Sequence, residues 1–374
     1  MSSTRGARWR IGLVVVVVAF GLDFWHRQER FGIDFHTYLA AATVGLQQGW
    51  SHIYDQALIA VAQKQIVPGL WTQPFLSPPT VAWVVAPLTV FPYWVAYDVW
   101  AVFSFAALAF ALAWSGVSTG IARWIAVIAA LAPWWVLHAV SVGQVIPLVA
   151  AGVVVAWRLL REKRDIAAGI ALSLILLKPN TAILVPFALL VAGRYRAFAA
   201  WLGAGGVLAL IAAVTLGGHG MSAYVNQLLA PLPGGADFLT LKGALGATGI
   251  AAAILRMLIG GIVLVTAFKL RTSPGLVLSL AIVGSLTAAP YLHASDLCLL
   301  SAAAWIVWEE RTSPAWRVPL AAGWVLASPF LVVAGFSPNL NRWPLLEYIL
   351  LLALVVMAWR PLTGMADLRT RAPA

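Results

Sequence analysis

The chain has 374 residues, of which 62% are hydrophobic and 10% charged, a composition that describes a polytopic membrane protein and excludes a soluble globular domain. Its formal charge of +11 would suggest a nucleic-acid partner in a soluble protein, but the basic residues sit in short clusters between apolar runs, where they set orientation in a bilayer. A single cysteine, Cys298, excludes an intramolecular disulfide, and no Cys/His grouping has metal-ligand spacing.

The first apolar run, residues 11 to 22, has the length of a signal-peptide core. The sequence after it, Asp23-Phe24-Trp25-His26, offers no small-residue cleavage site, so the run reads as a retained first span over residues 9 to 26. A polar segment, residues 27 to 92, follows as the first extracytoplasmic loop. Within it Phe35, Tyr38, Leu39, Ala42 and Leu46 share one helical face, which predicts a helix over 35 to 48 lying on the membrane surface with Asp34 as its N-cap. A second short helix is predicted over 55 to 67, before the Pro/Gly-marked stretch Pro68 to Pro79. Residues 80 to 91, held between Pro79 and Pro92 and interrupted by Pro87, supply only about 18 Å of helix against the roughly 30 Å of a bilayer core. They are predicted not to cross.

Further spans are predicted near 93 to 114, 120 to 138, 143 to 160, 166 to 178, 180 to 193, 197 to 216, 250 to 269, 274 to 289, 294 to 309, 318 to 335 and 343 to 359, about twelve in all. If residues 80 to 91 do not cross, the later basic clusters fall on the same side as Arg5, Arg8 and Arg10. Both termini, including the tail 360 to 374, are then cytoplasmic in a multi-pass protein of the plasma (inner) membrane. The runs 166 to 178 and 180 to 193 are too short to cross comfortably. They meet at Lys178-Pro179-Asn180, which predicts a broken pair with a recessed lysine. A second large external loop is predicted at 217 to 248, and the whole is read as one membrane-embedded domain. No internal repeat is evident, which weighs against a secondary transporter.

Among the acidic residues, Glu162, Asp165, Glu309, Glu310 and Asp367 accompany cytoplasmic basic clusters and read as charge balance. On the outer face the carboxylate candidates are Asp23, Glu29, Asp34, Asp55, Asp98, Asp237, Asp296 and Glu347, with His36, His138, His219 and His293 as possible partners. Composition alone does not rank them. The 19 tryptophans fit interfacial aromatic belts.

The ordered motifs Asp34-Phe35-x-x-Tyr38, Gly49, Tyr54-Asp55, Phe75-x-x-Pro78-Pro79, Gly143-Gln144, Leu177-Lys178-Pro179-Asn180 and Pro290-Tyr291-x-x-x-x-Asp296-Leu297 resemble glycosyltransferase family 87. These are membrane enzymes typified by polyprenol-phosphate-mannose-dependent mannosyltransferases. The chain departs from the pattern at Ser77, where relatives often have tyrosine, and at Ser295, where an aromatic is common. The second external loop carries no matching motif.

The resemblance implies an all-α fold of the C-type glycosyltransferase architecture. It implies transfer of a hexose, mannose by preference, from a polyprenyl-phosphate donor to a lipid or glycan acceptor on the extracytoplasmic face. Asp34 would be the general base of an inverting displacement, or simply a helix cap. Lys178 and His293 would bind the donor phosphate, although Lys178 could also snorkel to the interface. Tyr38, Gln144 and Asp296 would contact sugar or acceptor; interfacial anchoring, capping and a hydrogen-bonded pair are the structural alternatives. Asp34 has no adjacent acid with which to hold a metal, so neither metal nor cofactor is expected, and membrane lipids are the remaining partner. A transporter or flippase for a lipid-linked substrate would instead line several spans with polar residues. A non-catalytic assembly factor would use the external loops for docking.

Overall fold

The computed structural model describes residues 11–22, 32–230, 239–310, 320–325, 351–356 and 358–359. Every regular element among them is helical, the form in which a segment satisfies its own backbone polar groups inside hydrocarbon. Helix α1 covers Ile11–Leu22. The polar segment folds into α2 (Ile33–Gln48), α3 (Gln56–Ile66) and α4 (Pro79–Val85), the last prolonged by a 3-10 turn at Ala86–Val90. There follow α5 (Tyr93–Ser115), α6 (Ile121–Leu131), α7 (Trp134–Ser141), α8 (Ile146–Arg161), α9 (Asp165–Leu172), α10 (Leu184–Val191), α11 (Tyr195–Leu229), α12 (Leu241–Leu245), α13 (Gly249–Lys269), α14 (Pro274–Thr287) and α15 (Cys298–Glu309).

Three of these, α5, α11 and α13, are long and apolar enough to cross a bilayer, and α6 with α7 makes a fourth if taken as one span bent by 64°. The bend falls at Pro133, which lacks a backbone donor and clashes with a continuing helix. The twelve predicted spans are thus matched in part. Residues 143 to 160, 274 to 289 and 294 to 309 contain helices of 16, 14 and 12 residues, under the roughly 20 needed to span alone. Helices α8 and α14 are buried on nearly every side, so protein rather than lipid surrounds them. The predicted spans 318 to 335 and 343 to 359 lie mostly outside the described residues.

The predicted break at Lys178 is present. Helix α9 passes into a 3-10 turn at Ser173–Leu177, Lys178 leaves helical geometry, and a second 3-10 turn at Pro179–Thr181 precedes α10. The predicted loop 217 to 248 differs. At Gly217 the backbone (φ 60°, ψ −172°) breaks direction, and the chain then resumes as helix to Leu229.

At the end of the molecule that carries the basic clusters, Glu162 pairs with Arg158 at 2.6 Å and Asp165 with Arg194 at 3.7 Å, as charge balance requires. Glu309 and Glu310 do something else. Buried Glu309 accepts the Val117 and Ser118 N–H groups at 2.5 and 3.1 Å, and Glu310 accepts the Trp157 indole N–H at 2.9 Å. Both carboxylates clasp neighbouring elements to the end of α15. Asp367 lies outside the described residues.

Candidate active site

The site is built on an aromatic platform. Tyr93, Tyr97 and Trp100 recur at helical spacing on α5 and donate to the carbonyls of Gly32, Ser141 and Gly143, each at 2.8 Å. Their rings surround Phe35, with centroids 5.9, 6.1 and 6.0 Å away. This clamp fixes where α2 begins relative to where α7 ends.

The two helices meet end to end. The Gly32 N–H donates to the Ser141 carbonyl at 2.8 Å, and the N–H groups of Asp34 and Phe35 donate to the Val142 carbonyl at 2.9 and 3.3 Å. Orphan donors of one helix therefore satisfy orphan acceptors of the other. The expectation that Asp34 is the N-cap is corrected: Gly32, at φ 47°, holds the cap position, no side chain caps the helix, and Asp34 lies within the first turn. Tertiary carbonyls have taken over the capping, which leaves the Asp34 carboxylate for other contacts. Gly143 (φ 75°) turns the chain beside this joint, where a Cβ would collide with that of Phe35.

Just beyond that turn Gln144 is held on three sides. Its Oε1 accepts from the Tyr38 hydroxyl and from the Val145 N–H (3.0 Å), and its Nε2 donates to Asp34 Oδ2 at 3.0 Å. Asp34 Oδ1 has no hydrogen-bond partner among the described residues. Asp34 is packed round by protein yet keeps partial access to the outside. Burial pushes its pKa up to about 6 from the ordinary 3.8; the positive charge of Lys178 opposes this, Asp296 adds to it, and the Gln144 hydrogen bond opposes it again.

The facing wall comes from the α9–α10 break and the segment before α15. Lys178 Nζ lies 2.5 Å from Asp296 Oδ1, with Lys178 7% exposed and Asp296 fully buried. The second oxygen of Asp296 accepts the His293 N–H at 2.9 Å. Asn180 Nδ2 donates to the Tyr291 carbonyl at 3.3 Å, joining the two segments again.

All six residues singled out in the sequence thus fall in one cluster: Asp34 and Tyr38 on α2, Gln144 before α8, Lys178 at the break, and His293 and Asp296 before α15. Two further residues belong to it. Tyr291 lies within electrostatic reach of Lys178, Asp296 and Asp34, and Ser77 receives the Tyr54 hydroxyl on its carbonyl at 2.8 Å while its own side chain reaches Tyr38. Both sit in motifs visible in the sequence, Pro290-Tyr291 and Ser77-Pro78-Pro79, but only the fold shows that Tyr291 comes within electrostatic reach of Asp34 and that Ser77 meets Tyr38. The other candidates go elsewhere. Asp55 caps α3, accepting from Ala57 and Leu58 N–H at 3.0 and 3.3 Å, and His36 Nε2 pairs with the Gln63 carbonyl at 2.8 Å. His219 packs against His52, 5.4 Å between ring centroids, and His138 against Trp134 at 5.7 Å. Asp23, Glu29, Asp237 and Glu347 lie outside the described residues.

The model of glycosyltransferase family 87 matches residues 75–329, about two thirds of the chain, and so takes in Gln144, Lys178, Tyr291, His293 and Asp296 but begins after Asp34 and Tyr38. No curated protein and no solved structure matches.

Proposed function

Because the chain belongs to glycosyltransferase family 87, we propose that it transfers a hexose, mannose in our reading, from a polyprenyl-phosphate donor to a lipid or glycan acceptor at the extracytoplasmic face of the plasma membrane. The placement of the basic clusters in the sequence supports that face. Asp34 is the general base. Its Oδ1 takes the proton of the acceptor hydroxyl while the acceptor oxygen forms a bond to the anomeric carbon. The bond from that carbon to the phosphate oxygen breaks from the opposite side, and its electron pair leaves with the lipid phosphate. Configuration inverts in this single step.

The observation that carries the reading is the presence, in one cluster, of a carboxylate whose pKa burial has raised and a buried lysine within electrostatic reach of it. An ammonium has three donors, so Lys178 can hold Asp296 with one and offer two to the departing phosphate, whose negative charge grows as the bond breaks. His293, the exposed member of the facing wall, adds a further donor to the phosphate. Asp296, with both oxygens engaged, reaches a sugar hydroxyl only by sharing one of them.

The test is transfer from radiolabelled polyprenyl-phosphate mannose to a membrane-lipid extract by purified protein. Asp34→Asn is expected to lower turnover by roughly a hundredfold to ten-thousandfold while donor binding is kept. Turnover undiminished in Asp34→Asn would remove Asp34 as the base, and donor binding unchanged in Lys178→Ala would remove the phosphate assignment.

A further inference from the structure

The amide of Gln144 has one orientation open to it. The Val145 N–H can only donate and lies 3.0 Å from one terminal atom of Gln144, which must therefore be the oxygen; the Tyr38 hydroxyl donates to that same oxygen. The NH2 end is then forced toward Asp34 Oδ2, 3.0 Å away. With Gln144 3% exposed and Tyr38 4% exposed, water does not compete for these groups.

From this we infer that Gln144 is a positioning residue, locked by Tyr38 and by its own neighbour's N–H so that it ties down Oδ2 of Asp34 and presents Oδ1 to the acceptor. The inference rests on Asp34 being the base. It assigns to Gln144 and Tyr38 the orientation of that base in place of contact with sugar. The donor Gln144 supplies favours the charged carboxylate, in opposition to the burial that raises its pKa. The titratable groups facing Asp34 are Tyr38 on its own helix, Lys178 at the α9–α10 break, and Tyr291 and Asp296 before α15, with His293 beside them. Lys178 is tied to Asp296, and among these groups only Gln144 makes a direct hydrogen bond to the Asp34 carboxylate.

Two measurements separate this inference from the reading it rests on. Infrared titration, with the band lost in Asp34→Asn identifying the Asp34 carboxyl, reads its protonation without turnover. Its midpoint is expected to rise by roughly one pH unit in Gln144→Leu and in Gln144→Asn, whose shorter amide cannot span the gap, and by less in Tyr38→Phe. Turnover should fall roughly tenfold to a hundredfold in the two Gln144 variants with the donor KM held, because the base is misaimed and not lost. An unchanged midpoint in Gln144→Asn and Tyr38→Phe overturns the inference, as does a raised donor KM at an unchanged midpoint, the signature of sugar contact. Full transfer by Asp34→Asn would sink the base assignment alone, since the infrared result is independent of it.

Discussion

Lys178 and Asp296 form a buried ion pair, 2.5 Å from Nζ to Oδ1, that ties the break between α9 and α10 to the turn opening α15. The lysine, 7% exposed, is too deeply set to be a solvated surface charge. Its partner is spent on it and on the His293 N–H.

Removing one member of that pair strands the other in a low-dielectric site. Lys178→Ala or Asp296→Ala should each destabilise the protein by about 3–5 kcal/mol, whereas the double replacement Lys178→Met with Asp296→Leu should cost far less than the two single changes together. Melting of the purified protein in detergent measures this. Additive losses would mean that the pair is not coupled.

Transfer should depend on pH through Asp34. A general base works deprotonated, and with its pKa near 6 turnover should climb as pH rises through that value and level off above it. Near pH 5 the rate is expected to be about tenfold below its plateau. A profile flat down to pH 4.5 would speak against this base.

The same raised pKa fixes the sign of a stability effect. The folded protein holds the Asp34 proton more tightly than the unfolded chain does, so this group's stabilising contribution is full below about pH 4 and is lost as pH rises through about 6. At neutral pH the charged carboxylate is therefore a cost. Asp34→Asn should raise stability by roughly 1–3 kcal/mol near pH 7.5 and change little near pH 4. A variant that is inactive and less stable at neutral pH would contradict the assigned pKa.

Gly143→Ala should damage the site from behind. The residue sits at φ 75°, and the added methyl would meet Phe35 at the start of α2. A loss of about 1–3 kcal/mol in unfolding free energy is expected, with turnover reduced further than melting alone explains, because α2 carries the base.

The sequence made the site's membership legible more readily than its geometry. The break at Lys178 could be read because two apolar runs were too short to cross and a charge stood between them, both local facts. The bend between α6 and α7 falls at Pro133, inside the single span predicted over 120 to 138. The cap of α2 could not be read. An aspartate one residue before a helical face is the expected cap, but the helix starts two residues earlier than that face, its opening held by carbonyls of Ser141 and Val142, more than a hundred residues away. Tyr291 and Ser77 stayed unassigned for the same reason, since their relevance comes from approach in space. Helix lengths misled where burial intervened: α8 and α14 are surrounded by protein and so escape the length rule for a lone span.

The end-to-end joint of α7 and α2 has an electrostatic outcome. A helix start ordinarily behaves as a partial positive charge that would make a first-turn carboxylate more acidic, and a helix end as a partial negative one. Here the two lie in contact, so their fields largely cancel beyond the joint itself. Asp34 thus keeps the basicity that burial confers on it, and the positive charge within its reach is that of Lys178, offset in part by Asp296, where a phosphate accumulating negative charge would feel it.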